Sequence, residues 1–118
     1  MKEIKAKEIT RAVAKLCQQA NFELGGDVLQ ALKKARQQEE SPLATDILDK
    51  IIENAGIAKQ ESIPLCQDCG TAVVFMEIGQ EVNITDGDLS TAVAEGVHQG
   101  YTQGYLRKSM VNQPFSAR

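Results

Sequence analysis

The chain has 118 residues, enough for one modest core, and its 42% hydrophobic and 25% charged residues are the balance of a soluble globular protein. A net charge of −3 argues against general nucleic-acid binding, which depends on basic surface, and Lys33-Lys34 and Arg107-Lys108 are too short to reverse that. No apolar run is long enough to cross a bilayer, and the start, MKEIKAKEITR, has no signal-peptide hydrophobic region, so the expectation is a cytoplasmic protein that binds neither membrane nor nucleic acid.

Taken in chain order, the first part reads as helical. Ile9, Val13, Leu16, Cys17 and Ala20 recur at spacings of three and four between Glu8 and Ala20, which makes one buried stripe. Gly25-Gly26 interrupts it, and Asp27 is the expected cap of a second helix carrying Val28, Leu29, Leu32 and Ala35. Ser41-Pro42 starts a third, with Leu43, Ile47, Leu48, Ile51 and Ile52 as its stripe and a stop expected at Asn54-Ala55-Gly56. The three helices are expected to pack on one another.

The composition then changes. Thr71 to Ile78, TAVVFMEI, is the strongest strand candidate, and its near-continuous apolar character predicts burial on both faces. Val82-Asn83-Ile84 is a second short strand candidate, and Thr85 with Asp88 fits a capping box for a last helix. In that helix Gly96, Gly100 and Gly104 recur every four residues and leave a ridge almost without side chains. Each interior glycine costs on the order of 1 kcal/mol relative to alanine. Such a ridge implies that a second helix backbone approaches closely. No stop signal is evident in the tail, SMVNQPFSAR. The fold class expected is mixed α/β (α+β): an N-terminal helical region over 1–60, then a loop, a small central sheet and the glycine-ridged helix over 61–118.

The chemistry-bearing stretch is PLCQDCG, residues 64–70. Three cysteines are an odd number, which rules out a complete disulfide framework. A thiol–disulfide couple would place its attacking Cys at a helix N-terminus, whereas this motif precedes a strand candidate and carries an acidic Asp68 between its thiols. A self-contained zinc site needs four ligands, and the remaining donors, Cys17 on an apolar stripe and His98 on a helix, stand at no diagnostic spacing. A third possibility is that one thiol ligates an iron–sulfur cluster whose other ligands lie elsewhere. Residue types and spacing leave these alternatives open.

The order of features resembles the N-terminal part of the alpha subunit of the iron–sulfur-dependent class I fumarate hydratase and L-tartrate dehydratase family. The matching pieces are ILDKIIENAGIAKQESIPLCQDCG, TAVVFMEIGQEV, AVAEGVHQGYTQGYLRKSMV and Pro114, with PLCQDCG and GYLRKS the most specific. The resemblance implies a 4Fe–4S cluster held by three cysteines, of which Cys66 is the first. It implies that Gln67, Asp68 and Arg107 contact a small dicarboxylate substrate, fumarate and malate or tartrate, and that Asp68 takes part in proton transfer. An arginine suits a carboxylate because its planar fork binds both oxygens, and Asp68 would exchange a proton if its pKa were raised.

One departure is Cys69, where the family usually has Thr; Cys69 is expected not to be a ligand. The other is length. The remaining cluster cysteines, the rest of the alpha region and a beta subunit or beta domain are expected beyond position 118. The chain is thus expected to be one part of a homo- or hetero-oligomeric hydro-lyase, inactive alone, with apolar surface left open around the glycine ridge. The competing expectation is a non-catalytic helical interaction domain, stable, monomeric and metal-free.

Overall fold

The computed structural model describes residues 1–115. Its elements are β1 (Lys2–Lys5), α1 (Ala6–Phe22), α2 (Gly26–Gln38), α3 (Pro42–Glu61), β2 (Val82–Thr85) and α4 (Leu89–Gln103), a mixed α/β arrangement. β1 and β2 form a parallel ladder with Ile4 opposite Ile84. Each strand runs directly or through a short turn into a helix, so β1–α1 and β2–α4 are two β–α units lying side by side.

The glycine ridge is where these units meet. A Cβ at Gly96 would lie 2.7 Å from the Val13 Cβ and 2.8 Å from the Thr10 carbonyl oxygen. At Gly100 it would lie 2.7 Å from the Ala14 carbonyl oxygen, and at Gly104 it would lie 2.9 Å from Gln18 Cγ. The partners advance one turn along α1 for each turn along α4, so the helices run in the same direction at backbone-to-backbone distance. Two side chains reinforce the seam: Thr10 Oγ1 donates to the Ala92 carbonyl at 2.9 Å, and Gln18 Nε2 donates to the Gly100 carbonyl at 3.2 Å. The close approach predicted from the spacing is present, but its partner is α1. The ridge is therefore covered within the chain, contrary to the expectation of open apolar surface around it. The buried core is correspondingly small-grained, with Ala6, Val13, Ala14, Ala92 and Tyr101 at this seam and Ala55 and Ala58 on α3.

Helix ends explain several other departures. Asp27 does not cap α2; Gly25 occupies that position, with Asp27 inside the first turn. Ser41 and Pro42 start α3 as expected, the Ser41 hydroxyl accepting from the Ala44 N–H. That helix does not stop at Asn54-Ala55-Gly56 but continues to Glu61, ending on Ser62 in the left-handed region (φ 53°). The inward-facing Ala55 and Ala58 reward the continuation, while the exposed Gly56 merely weakens it. Thr85 ends β2, and the cap of α4 is Asp88, whose carboxylate accepts from both the Thr91 N–H and hydroxyl at 2.9 and 3.0 Å. α4 itself stops earlier than the sequence suggested. Tyr105 turns left-handed (φ 54°), Leu106 N–H donates back to the Tyr101 carbonyl at 2.9 Å, and the Leu106 side chain is buried. Arg107 therefore lies on an irregular segment beyond the helix.

The largest departure is Thr71 to Ile78. The segment is not part of any ladder among the described residues, and it is not buried: Val73 is 68% and Phe75 93% exposed. A strand requires a hydrogen-bonding neighbour, and β2 is paired instead to β1, whose sequence KEIK is too short and too charged to announce a strand. The first three helices also do not pack evenly on one another. α2 and α3 make their own hairpin, tied by the Arg36 Nε–Asp49 pair at 2.8 Å, and α1 packs chiefly on α4. With that hairpin the radius of gyration is 18.3 Å, against about 13–14 Å for a closed domain of this length.

Candidate functional site

PLCQDCG begins where the end of α1 and the middle of α3 converge. Leu65 N–H donates to the Asn21 carbonyl at the end of α1, and Asn54 Nδ2 on α3 donates to the Leu65 carbonyl, both at 2.8 Å. Asn54, expected to stop a helix, instead anchors the loop. At the end of the motif, Gly70 adopts φ +61°, a conformation open to glycine, and its N–H donates to Asp68 Oδ1 at 3.0 Å.

The segment after α4 closes on this loop. Tyr101 Oη donates to the Cys69 carbonyl at 3.3 Å, and the Arg107 N–H donates to Cys69 Sγ at 3.2 Å. Ser109 Oγ donates to Asp68 Oδ1 at 2.7 Å. PLCQDCG and GYLRKS, distant in sequence, thus form one surface. Cys66 is exposed, its Sγ 3.1 Å from the Asp68 carbonyl, and Gln67 is exposed beside it.

The charge state of Asp68 departs from the sequence expectation. The Gly70 N–H, the Ser109 hydroxyl and then the Arg107 charge hold its carboxyl below the usual carboxylate range; a raised pKa is not found. The physical reason is that every donor faces the charged form and the group is solvent-accessible. Asp68 is thus a carboxylate that can accept a proton.

The thiols differ. Cys17 is partly buried on α1, and burial pushes its pKa up, as suits an inert core thiol. Cys69 is half-buried and engaged with Arg107, whereas Cys66 alone is exposed. Cys17, Cys69 and Tyr101 line a groove of about 450 Å³ under residues 71–75. Thiolate sulfur suits an iron–sulfur cluster, and the accessible Cys66 fits as one ligand. No group of three potential metal ligands occurs among the described residues. His98 is exposed and lines a separate groove with Lys108 and Ser109. Ser109 was missed by sequence reasoning. Its only signal was its place two residues after Arg107, which is silent about Asp68.

No helix among the described residues is long and apolar enough to cross a membrane. The chain is 34% identical over 106 residues to the putative L(+)-tartrate dehydratase subunit alpha of Methanocaldococcus jannaschii, a match covering 89% of this chain and 37% of that protein. It is 38% identical over 60 residues to the aerobic class I fumarate hydratase of Escherichia coli, covering 51% of this chain and 11% of that protein. The chain therefore spans little more than a third of the longest-matching of these relatives. The family model described as fumarate hydratase (Fumerase) matches residues 10–118, through both segments that build the site. The chain belongs to the fumarate hydratase (Fumerase) family.

Proposed function

We propose that this chain is the N-terminal part of the alpha region of an iron–sulfur hydro-lyase that reversibly hydrates fumarate to malate. The observation that carries the reading is the joining of the Cys66–Gly70 loop to the Arg107–Ser109 segment, which sets an exposed thiol, a carboxylate and a guanidinium on one surface. Cys66 would hold one corner of a 4Fe–4S cluster. When bound, such a cluster supplies a Lewis-acidic iron toward a substrate hydroxyl and carboxylate.

The chain's own residues divide the remaining work. Arg107 binds a substrate carboxylate through its planar fork. Gln67, exposed next to Cys66, offers an amide to the same substrate. Asp68, held as a carboxylate, accepts the proton released when the dicarboxylate is dehydrated and returns it in the hydration direction.

Tartrate is the second reading, favoured by the extent of the match to the tartrate dehydratase alpha subunit. The reactions share their chemistry and differ in one substrate hydroxyl. The remaining cluster ligands, the rest of the alpha region and a beta subunit or domain belong to further polypeptide, forming a homo- or hetero-oligomer. Pairing by that polypeptide accounts for the extended, exposed apolar segment 71–78.

Arg107→Lys in the complete enzyme tests the reading. A lysine keeps the charge but loses the fork, so the KM for the dicarboxylate is expected to rise about tenfold, corresponding to roughly 1.4 kcal/mol. Steady-state kinetics on fumarate, malate and tartrate measure it. An unchanged KM removes Arg107 from carboxylate binding.

A further inference from the structure

We infer that Ser109 is a positioning residue for Asp68, fixing which carboxylate oxygen faces the substrate and locking it in register with Arg107; this rests on the hydro-lyase reading. Asp68 Oδ1 receives both the Ser109 hydroxyl at 2.7 Å and the Gly70 N–H at 3.0 Å. Oδ2 makes no such bond among the described residues, which leaves it as the oxygen presented outward.

The two donors are not equivalent. Gly70 belongs to the same loop as Asp68 and moves with it. Ser109 comes from the other side of the site, and its own N–H donates to the Arg107 carbonyl at 3.1 Å in a tight turn. That segment is anchored by buried Leu106 and by the Arg107 N–H bond to Cys69 Sγ. A carboxylate torsion is broad and roughly two-fold, so one bond from its own loop selects a rotamer weakly. A short, charge-assisted bond from an anchored segment selects it strongly. Through Ser109, the group that moves the proton and the group that binds the carboxylate become parts of one rigid unit.

The test is Ser109→Ala and Ser109→Thr in the complete assembled enzyme, with iron content and thermal midpoint measured beside the kinetics. The alanine variant is expected to keep its iron, to fold, and to lose at least about tenfold in kcat with KM changed less than about threefold, since misplacement of a reacting group acts on the chemical step. The threonine variant retains the hydroxyl and is expected to recover most of that kcat. Wild-type kcat in the alanine variant overturns the inference, as does an equal loss in both variants. If the unaltered enzyme turns over neither fumarate nor tartrate, the hydro-lyase reading fails on its own. A crystal structure of Ser109→Ala then decides the positioning claim: a reoriented Asp68 carboxylate supports it, and an unmoved one overturns it.

Discussion

Gly100→Ala is expected to destabilise the protein by about 2 kcal/mol, within the range for overpacking a tight interface. The added methyl would lie 2.7 Å from the Ala14 carbonyl oxygen, 3.0 Å from the Ala14 Cα and 3.0 Å from the Cys17 Cβ. None of these is the far end of a flexible side chain, so no rotamer change relieves the overlap and α1 must move away from α4. The gain in helix propensity, about 1 kcal/mol, offsets only part of the cost. A fall in Tm on the order of 10 °C follows for a domain of this size. Gly56→Ala is the control. Gly56 also lies inside a helix, but nothing stands within 4 Å of its added Cβ, so the same change is expected to raise stability by up to about 1 kcal/mol. Calorimetry on both variants measures the difference. Equal effects at the two positions would mean that the α1–α4 seam yields without cost.

Cys66→Ser in the complete enzyme is expected to abolish cluster binding and, with it, hydro-lyase activity, because a hydroxyl is a hard, poorly ionised substitute for a thiolate. Cys69→Ser is expected to retain iron. Its thiol already accepts the Arg107 N–H, an engagement a serine hydroxyl can reproduce, and the family's usual Thr at this position offers the same oxygen. Iron content after anaerobic purification separates the two thiols. Iron retained by Cys66→Ser and lost from Cys69→Ser would reverse the ligand assignment.

The sequence is most legible where spacing alone carries the physics. The four-residue recurrence of Gly96, Gly100 and Gly104 announced a helix–helix contact at backbone distance, and the Ile9–Val13–Leu16 spacing announced the helix that makes it, although Leu16 is 60% exposed and only Val13 of these is buried. Val82–Ile84 was readable as a strand, whereas KEIK was not, because four residues with three charges carry no burial pattern. TAVVFMEI shows the opposite failure. Its apolar, β-branched pattern announced a strand buried on both faces, yet no ladder among the described residues includes it and its side chains are exposed. Within the site, the residue types of Cys66, Asp68 and Arg107 were legible through the family motif. Their meeting was implied by the resemblance, but the route to it was not legible, since it runs through the left-handed turn at Tyr105 and the burial of Leu106. The protonation state of Asp68 was not legible either, for its donors come from Gly70 and from the distant Ser109.

The central claim, that Cys66 is one corner of an iron–sulfur site in a hydro-lyase, is tested most directly by assaying iron and acid-labile sulfide. The sample is the assembly containing this chain, purified without oxygen together with whatever co-purifies. Near-equal amounts of iron and sulfide are expected. A well-folded assembly that holds neither, and that anaerobic reconstitution does not load, would contradict the account.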